Sequence, residues 1–205
     1  IDICGKPAIA YPITACLETG LFDEVVVSTD HDDIARIAED HGARVVMRGA
    51  ELSDSVAKVR DVVADFLNQS DHDYGCIVYP TAVLLSADDL VAAHQLLHSP
   101  TDADFVLGVS LLQPHPYKAL TTEGKWCRPV FGDKIDLKGQ EQPDNFAPNG
   151  TFHWFKTAAF LAQTDYWQAR RAMFAINKLH AFDIDEPEDV EIVRALVQAR
   201  NAAGG

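Results

Sequence analysis

The sequence predicts an α/β fold built on a mostly parallel sheet, and three observations carry that expectation. Short apolar runs alternate with amphipathic stretches almost throughout the chain. Several of the apolar runs end in polar residues, as strands do where an open α/β sheet holds a ligand. The 205 residues, 47% hydrophobic and 23% charged, suit one soluble domain with a sizeable core.

Residues 22–30 read as a buried strand ending in Ser28, Thr29 and Asp30. Residues 32–41 follow with Ile34, Ile37 and Ala38 at helical spacing, and Gly42 stops the helix. Residues 43–47 make a second strand. Residues 56–67 carry Val56, Val59, Val62, Val63, Phe66 and Leu67 on one face of an amphipathic helix. Residues 75–79 form a short apolar strand that opens into Pro80, Thr81 and Ala82. A helix from 86 to about 97 begins at Ser86, a good N-cap, with Asp89 at N3. Residues 104–112 are another buried strand.

Residues 113–148 break the rhythm with scattered Pro and Gly and only short apolar runs. An irregular stretch of that length inside a domain is usually functional, as a lid, a binding loop or a dimer arm. Strand 151–155, helix 157–163 and strand 174–185 resume the pattern, and an amphipathic helix from Pro187 to about Arg200 closes it. The three polar strand ends, at 28–30, 79–81 and 183–185, place a common crevice at one sheet edge.

The formal net charge of −14 argues against nonspecific nucleic-acid binding, which needs a basic surface. An anionic substrate must then be received locally, by a metal or a basic pocket. Residues 113–143 hold Lys118, Lys125, Arg128, Lys134 and Lys138 among four acids, a locally less acidic patch. That patch is either a port for an anion or a solvated loop of mixed charge. No apolar run approaches the roughly 18–20 residues that span a bilayer. The four cysteines form no CxxC pair and no zinc spacing, and the start of the chain has no signal-peptide pattern, so a reducing cytoplasm is the expected setting. Neither a dinucleotide fingerprint nor a P-loop nor a GxSxG elbow occurs.

The most informative stretch is Phe182-Asp183-Ile184-Asp185-Glu186-Pro187. In an extended segment Asp183 and Asp185 point to the same side. Adjacent like charges are unfavourable unless a cation sits between them, and paired hard oxygen ligands suit Mg²⁺, which commonly takes one or two carboxylates plus substrate phosphates. The alternative is an Asp-rich turn whose acids and Pro187 start the next helix.

Taken together the segments resemble the acylneuraminate cytidylyltransferases, the family that activates nonulosonic acids as CMP-sugars. The segments are Gly5-Lys6-Pro7-Ala8-Ile9-Ala10-Tyr11, Val27-Ser28-Thr29-Asp30, Arg48-Gly49-Ala50-Glu51-Leu52-Ser53-Asp54, Tyr79-Pro80-Thr81-Ala82, His115-Pro116-Tyr117-Lys118, Phe146-Ala147-Pro148-Asn149-Gly150 and Phe182-Asp183-Ile184-Asp185. Their order and spacing carry the likeness over nearly the whole chain. Tyr79 to Ala82 is similar to the pseudaminic branch, and the His115 and Phe146 segments to the sialic and legionaminic branches.

The resemblance implies a Rossmann-like three-layer nucleotidyltransferase (glycosyltransferase-A-like) fold. It implies one domain over 1–205, with 113–148 inserted as a dimerisation arm, and a cytoplasmic homodimer. CTP and a nonulosonic acid would be the substrates, with Mg²⁺ as cofactor held by Asp183 and Asp185. Arg48, Pro80 and Thr81 would face the nucleotide. Lys118, Lys138, Gln140, Asn149, Gly150 and Phe152 would face the sugar. The chain also departs from the pattern: the family opens with a strand and a basic, glycine-containing phosphate loop, and the expectation here is a domain without them. Lys138 stands in an approach to Gln140 that is Arg-rich in the family, and Lys lacks the bidentate fork that suits a carboxylate. The alternatives left open are another sugar-acid nucleotidyltransferase of the same fold, such as one for the eight-carbon acid of lipopolysaccharide, and a truncated or non-catalytic nucleotide-binding homologue.

Overall fold

A computed structural model describes residues 1–53, 58–98, 102–162 and 168–203. The chain opens with a tight hairpin, β1 (Asp2–Ile3) and β2 (Lys6–Pro7). A helix not expected from the alternation follows, α1 (Ala10–Glu18). Pro12 lies in its first turn, where a missing N–H is harmless, and Ala10, Ile13 and Cys16 form its buried stripe.

Next come β3 (Val26–Thr29), α2 (Asp32–Asp40) and β4 (Arg44–Met47), with β3 and β4 paired in parallel. His31 caps α2 by accepting the Asp33 N–H (3.2 Å), and Asp32 and Asp33 complement the helix dipole. Helix α3 (Val59–Leu67) matches the expected amphipathic stretch from Val59 onward; Val56 lies outside the described residues. Then follow β5 (Tyr74–Val78) and α4 (Ala87–Gln95), whose Ser86–Asp89 capping box is formed in both directions.

Strand β6 (Phe105–Leu111) is followed by the arm, an outlying hairpin of β7 (Leu120–Glu123) and β8 (Trp126–Pro129) with three short 3-10 turns. Strand β9 (Phe146–Lys156), helix α5 (Thr157–Ala162), strand β10 (Arg171–Ala175) and helix α6 (Pro187–Ala203) complete the order. Gln163, the expected end of the α5 helix, lies outside the described residues.

The main sheet runs β10-β6-β9-β5. Strands β5, β6 and β10 point one way, and β9 runs against both of its neighbours. The reversal follows from the arm, which returns the chain to the sheet end it left: the Leu112 N–H donates to the Asn145 carbonyl (2.8 Å), so β9 must run back along β6. Helices cover both faces. Phe105, Leu107 and Val109 of β6 pack towards α3 and α5, and Val106 with Phe152 and Trp154 packs towards α1 and α4. Strand β6 is therefore apolar on both faces, as its unbroken apolar run requires.

Trp154 pins the α4 layer. It is almost fully buried, stacks on Phe22 (5.0 Å between centroids) and donates its indole N–H to the Leu90 carbonyl (3.2 Å). Burying a ring of that size contributes about 1.5–3 kcal/mol or more. Among the described residues no helix is long and apolar enough to cross a membrane.

The expected strand 174–185 is corrected. The ladder ends with β10 at Ala175, because Asn177 turns the chain: its side chain accepts the Leu179 N–H (2.9 Å) and its carbonyl accepts the His180 N–H (2.8 Å). The strand expected over 22–30 is likewise shorter, with Phe22 outside it and turned onto Trp154.

Candidate active site

The site begins with a bulge. Strands β6 and β9 pair as far as Leu107 opposite His153 and resume at Val109 opposite Pro148, so Gly108 alone faces residues 149–152. A Cβ at Gly108 would stand 2.6 Å from Thr151 Oγ1, 3.1 Å from the Phe152 ring and 3.3 Å from Asn149 Oδ1. Only glycine lets the bulge lie flat on β6.

Asn149 organises the bulge from inside. Its Oδ1 accepts the Thr151 hydroxyl (2.6 Å) and the Thr151 N–H (3.3 Å), and its Nδ2 donates to Ser110 Oγ (3.1 Å). Between them Gly150 sits at φ +67, and a Cβ there would collide with Asp183 Oδ2. The backbone at Gly150 thus approaches the Asp183 carboxylate as closely as a glycine allows.

Asp183 and Asp185 are carried by the extended segment between the Asn177 turn and α6. Phe182 and Ile184 pack on the cluster of Ile3, Val190 and Val193, so the two carboxylates project the other way, which is the alternation expected of a strand without its ladder. Asp183 Oδ1 accepts the Ile184 N–H (2.9 Å). Asp189 Oδ2 accepts the N–H groups of Asp185 (3.0 Å) and Glu186 (2.8 Å), fixing the entry to α6. Asp183 and Asp185 line an open cleft of about 400 Å³ with Asn149, Gly150, Ser110 and Gln113. Tyr79, half-buried at the end of β5, is tied to the bulge by its N–H to the Thr151 carbonyl (3.0 Å). Burial pushes its phenol up from the ordinary tyrosine value, and the Asp183 carboxylate adds to that rise.

The donor set fits Mg²⁺. Two carboxylates project from one segment beside a backbone with no side chain in the way, leaving the other positions for water and substrate oxygens. Among the described residues no group of three or more His, Cys, Asp or Glu forms a closed metal site.

Of the remaining residues singled out from sequence, Arg48 follows β4. Its Nη2 lies 3.4 Å from Asp30 Oδ1, and its buried Nε has no hydrogen-bond partner. A buried guanidinium N–H without an acceptor is rare. Pro80 is exposed and Thr81 half-buried, in the turn from β5 to α4. Lys118 is occupied within the arm, donating to the carbonyls of Ile135 and Leu137 (3.0 Å to Leu137). Lys138 and Gln140 sit on the exposed arm and do not line the cleft. Phe152 is a correction: it is 0% exposed in the core with Trp154, so it faces no substrate. The structure therefore brings Asp183, Asp185, Asn149 and Gly150 together, and leaves Arg48, Pro80 and Thr81, the residues expected to face the nucleotide, at other strand ends. Gly108 was missed; a lone Gly inside an apolar strand run is the available signal for it. Tyr79 was named as a polar strand end but given no role in the site.

Residues 1–202 match the protein family described as Cytidylyltransferase. The chain is similar to a pseudaminic acid cytidylyltransferase of Campylobacter jejuni, 26% identical over 98% of this chain and 89% of the relative. It is also similar to an N-acylneuraminate cytidylyltransferase of Streptococcus agalactiae, 28% identical over 91% of this chain and 46% of that longer protein. Among solved structures, a CMP:2-keto-3-deoxy-manno-octonic acid synthetase complexed with CTP superposes with a TM-score of 0.71 at 13% identity, covering 98% of this chain and 91% of that one. A 4-diphosphocytidyl-2C-methyl-D-erythritol synthase from Anaerococcus prevotii gives 0.68 at 12% identity, covering 97% and 92%. These two likenesses establish the nucleotidyltransferase fold.

Proposed function

This chain belongs to the cytidylyltransferase family, and from that premise we propose that it transfers CMP from CTP to a nonulosonic, sialic acid-like sugar acid. The sugar's anomeric hydroxyl attacks the α-phosphorus in line, a new C–O–P link forms, the α–β phosphoanhydride breaks and pyrophosphate leaves. Positioning and charge neutralisation dominate such transfers, so few covalent duties fall to side chains.

One observation carries the reading: Asp183 and Asp185 face a cleft at the bare backbone of Gly150. These carboxylates would hold Mg²⁺. When bound, the ion neutralises triphosphate charge and lowers the pKa of a coordinated hydroxyl. Gly150 keeps the approach to Asp183 open, and Asn149 holds Gly150 in its left-handed conformation. Tyr79 is tied to the bulge from the end of β5, and its raised phenol stays protonated near Asp183. Arg48 would offer its unpartnered Nε to the nucleotide, and Pro80 and Thr81 would face it from the turn after β5. Lys138 and Gln140 would reach the sugar from the arm only if the arm closes or a second copy supplies it.

We extend the reading to assembly: the arm, residues 113–148, is a dimer contact. The support is its exposed apolar side chains, Leu120, Trp126, Val130 and Phe131. A monomer by light scattering at micromolar concentration would contradict it. The catalytic assignment is tested by Asp185→Ala, which should abolish pyrophosphate release while the melting temperature stays within a few degrees. Retained turnover in that variant would remove Asp185 from the site.

A further inference from the structure

We propose that Asp89 and His180 form a positioning pair that sets the carboxylate-bearing segment, residues 181–185, against the turn that follows β5. The inference rests on the reading of Asp183 and Asp185 as the metal-holding pair. Asp89 is only 9% exposed, and one of its oxygens, Oδ2, receives three donors: the Ser86 N–H (3.2 Å), the Ser86 hydroxyl (2.5 Å) and His180 Nδ1 (2.7 Å). Two of those donors belong to the end of the 79–86 turn, which carries Pro80 and Thr81. The third belongs to the segment that carries Asp183. A single buried carboxylate oxygen therefore joins the nucleotide side of the site to its metal side.

The pair matters because the 181–185 segment has no ladder of its own. Strand pairing stops at Ala175, with one further bond from the Ile176 N–H to the Val109 carbonyl (3.0 Å). From there to the Asp189 cap, His180 to Asp89 is a polar tie that reaches another element among the described residues, beside the apolar packing of Phe182 and Ile184. Apolar packing is non-directional, so it permits sliding that a short hydrogen bond to a buried carboxylate does not. A shift of about 1 Å in a positioned group can cost on the order of a hundredfold in rate. His180 touches neither metal nor substrate and acts through the two residues between it and Asp183, Ala181 and Phe182.

The test compares His180→Ala, His180→Leu and His180→Asn with the parent. Leucine keeps bulk without a donor, and asparagine returns an N–H donor near the position of Nδ1. Two quantities are read: Mn²⁺ binding by electron paramagnetic resonance without turnover, and the Mg²⁺ concentration for half-maximal pyrophosphate release. Loss of the donor should weaken both by about tenfold, the scale for groups that support metal ligands. His180→Asn should restore both.

A merely structural role would lower the melting temperature, and with it the active fraction, without moving either metal constant. Unchanged constants in a folded His180→Leu or His180→Ala protein, beside lost Mn²⁺ binding in Asp183→Asn, would overturn the inference and leave the site reading standing. Unchanged Mn²⁺ binding in Asp183→Asn would overturn the site reading itself, and the inference with it.

Discussion

Replacing Gly108 by alanine adds one methyl group at the point where the whole bulge leans on β6. The new Cβ would meet Thr151 Oγ1 at 2.6 Å, whereas an ordinary contact begins near 3.4 Å, so the hydroxyl must retreat by about 0.8 Å. Thr151 is 1% exposed and bonded to Asn149, and the Phe152 ring at 3.1 Å closes the other side, so no free space receives it. Overpacking of this kind destabilises by about 1–3 kcal/mol. The displacement passes directly to Asn149 and Gly150, and hence to the backbone against Asp183. Gly108→Ala should lose about 1–3 kcal/mol in urea denaturation and at least about tenfold in turnover. The double variant Gly108→Ala with Thr151→Ala removes the closest clash, and a coupling of at least about 0.5 kcal/mol should appear between the two sites. Additive stability losses, or a Gly108→Ala protein with parental turnover, would refute the idea that Gly108 holds the bulge.

Gly150→Ala forces a non-glycine residue to φ +67 and drives a methyl into Asp183, so turnover should fall by on the order of a hundredfold, measured by pyrophosphate release under saturating Mg²⁺. Burial pushes the Cys16 thiol up to about 12 and raises Cys76 well above its ordinary value, so a thiol reagent at pH 8 should modify only the exposed Cys4 and Cys127 in the folded protein, and all four after denaturation. Arg170 holds Asp104 below the usual carboxylate range, chiefly through its hydrogen bonds (2.9 and 3.0 Å). That contribution is present above the unfolded Asp value of about 3.9 and is lost as pH falls through the lower folded value. Arg170→Ala should therefore be less stable than the parent at pH 6, with the gap closing towards pH 2 in acid unfolding monitored by circular dichroism, and shrinking in high salt because the Arg170 side of the pair is exposed.

Much of the fold was legible because period and capping chemistry speak locally. Ser86 and Asp89 announce α4, and the apolar runs of β5 and β6 need no tertiary context. Helix α1 was not legible, since Pro12 interrupts the pattern and the helix survives only because proline falls in its first turn. The reversed direction of β9 was hidden because strand direction depends on where the arm returns the chain, a long-range property. In the site, the Asp183 and Asp185 pair was visible from its spacing of two, and this alternation persisted even where no strand formed, because Phe182 and Ile184 pack as strand residues would. Lys118 and Phe152 misled for opposite reasons. A lysine in sequence does not reveal nearby carbonyls that absorb its charge, and a phenylalanine beside a functional bulge is still free to face the core. The joining of His180 to Asp89, ninety-one residues apart, has no sequence signal at all.

The most direct measurement is pyrophosphate release by the purified protein with CTP and Mg²⁺, across pseudaminic, sialic and legionaminic acids and the eight-carbon acid. Release that requires CTP, the metal and one of the nonulosonic acids, and that disappears in Asp183→Asn, is the expected result. Release with the eight-carbon acid alone, or none with any acid from a folded protein that binds CTP, would contradict it.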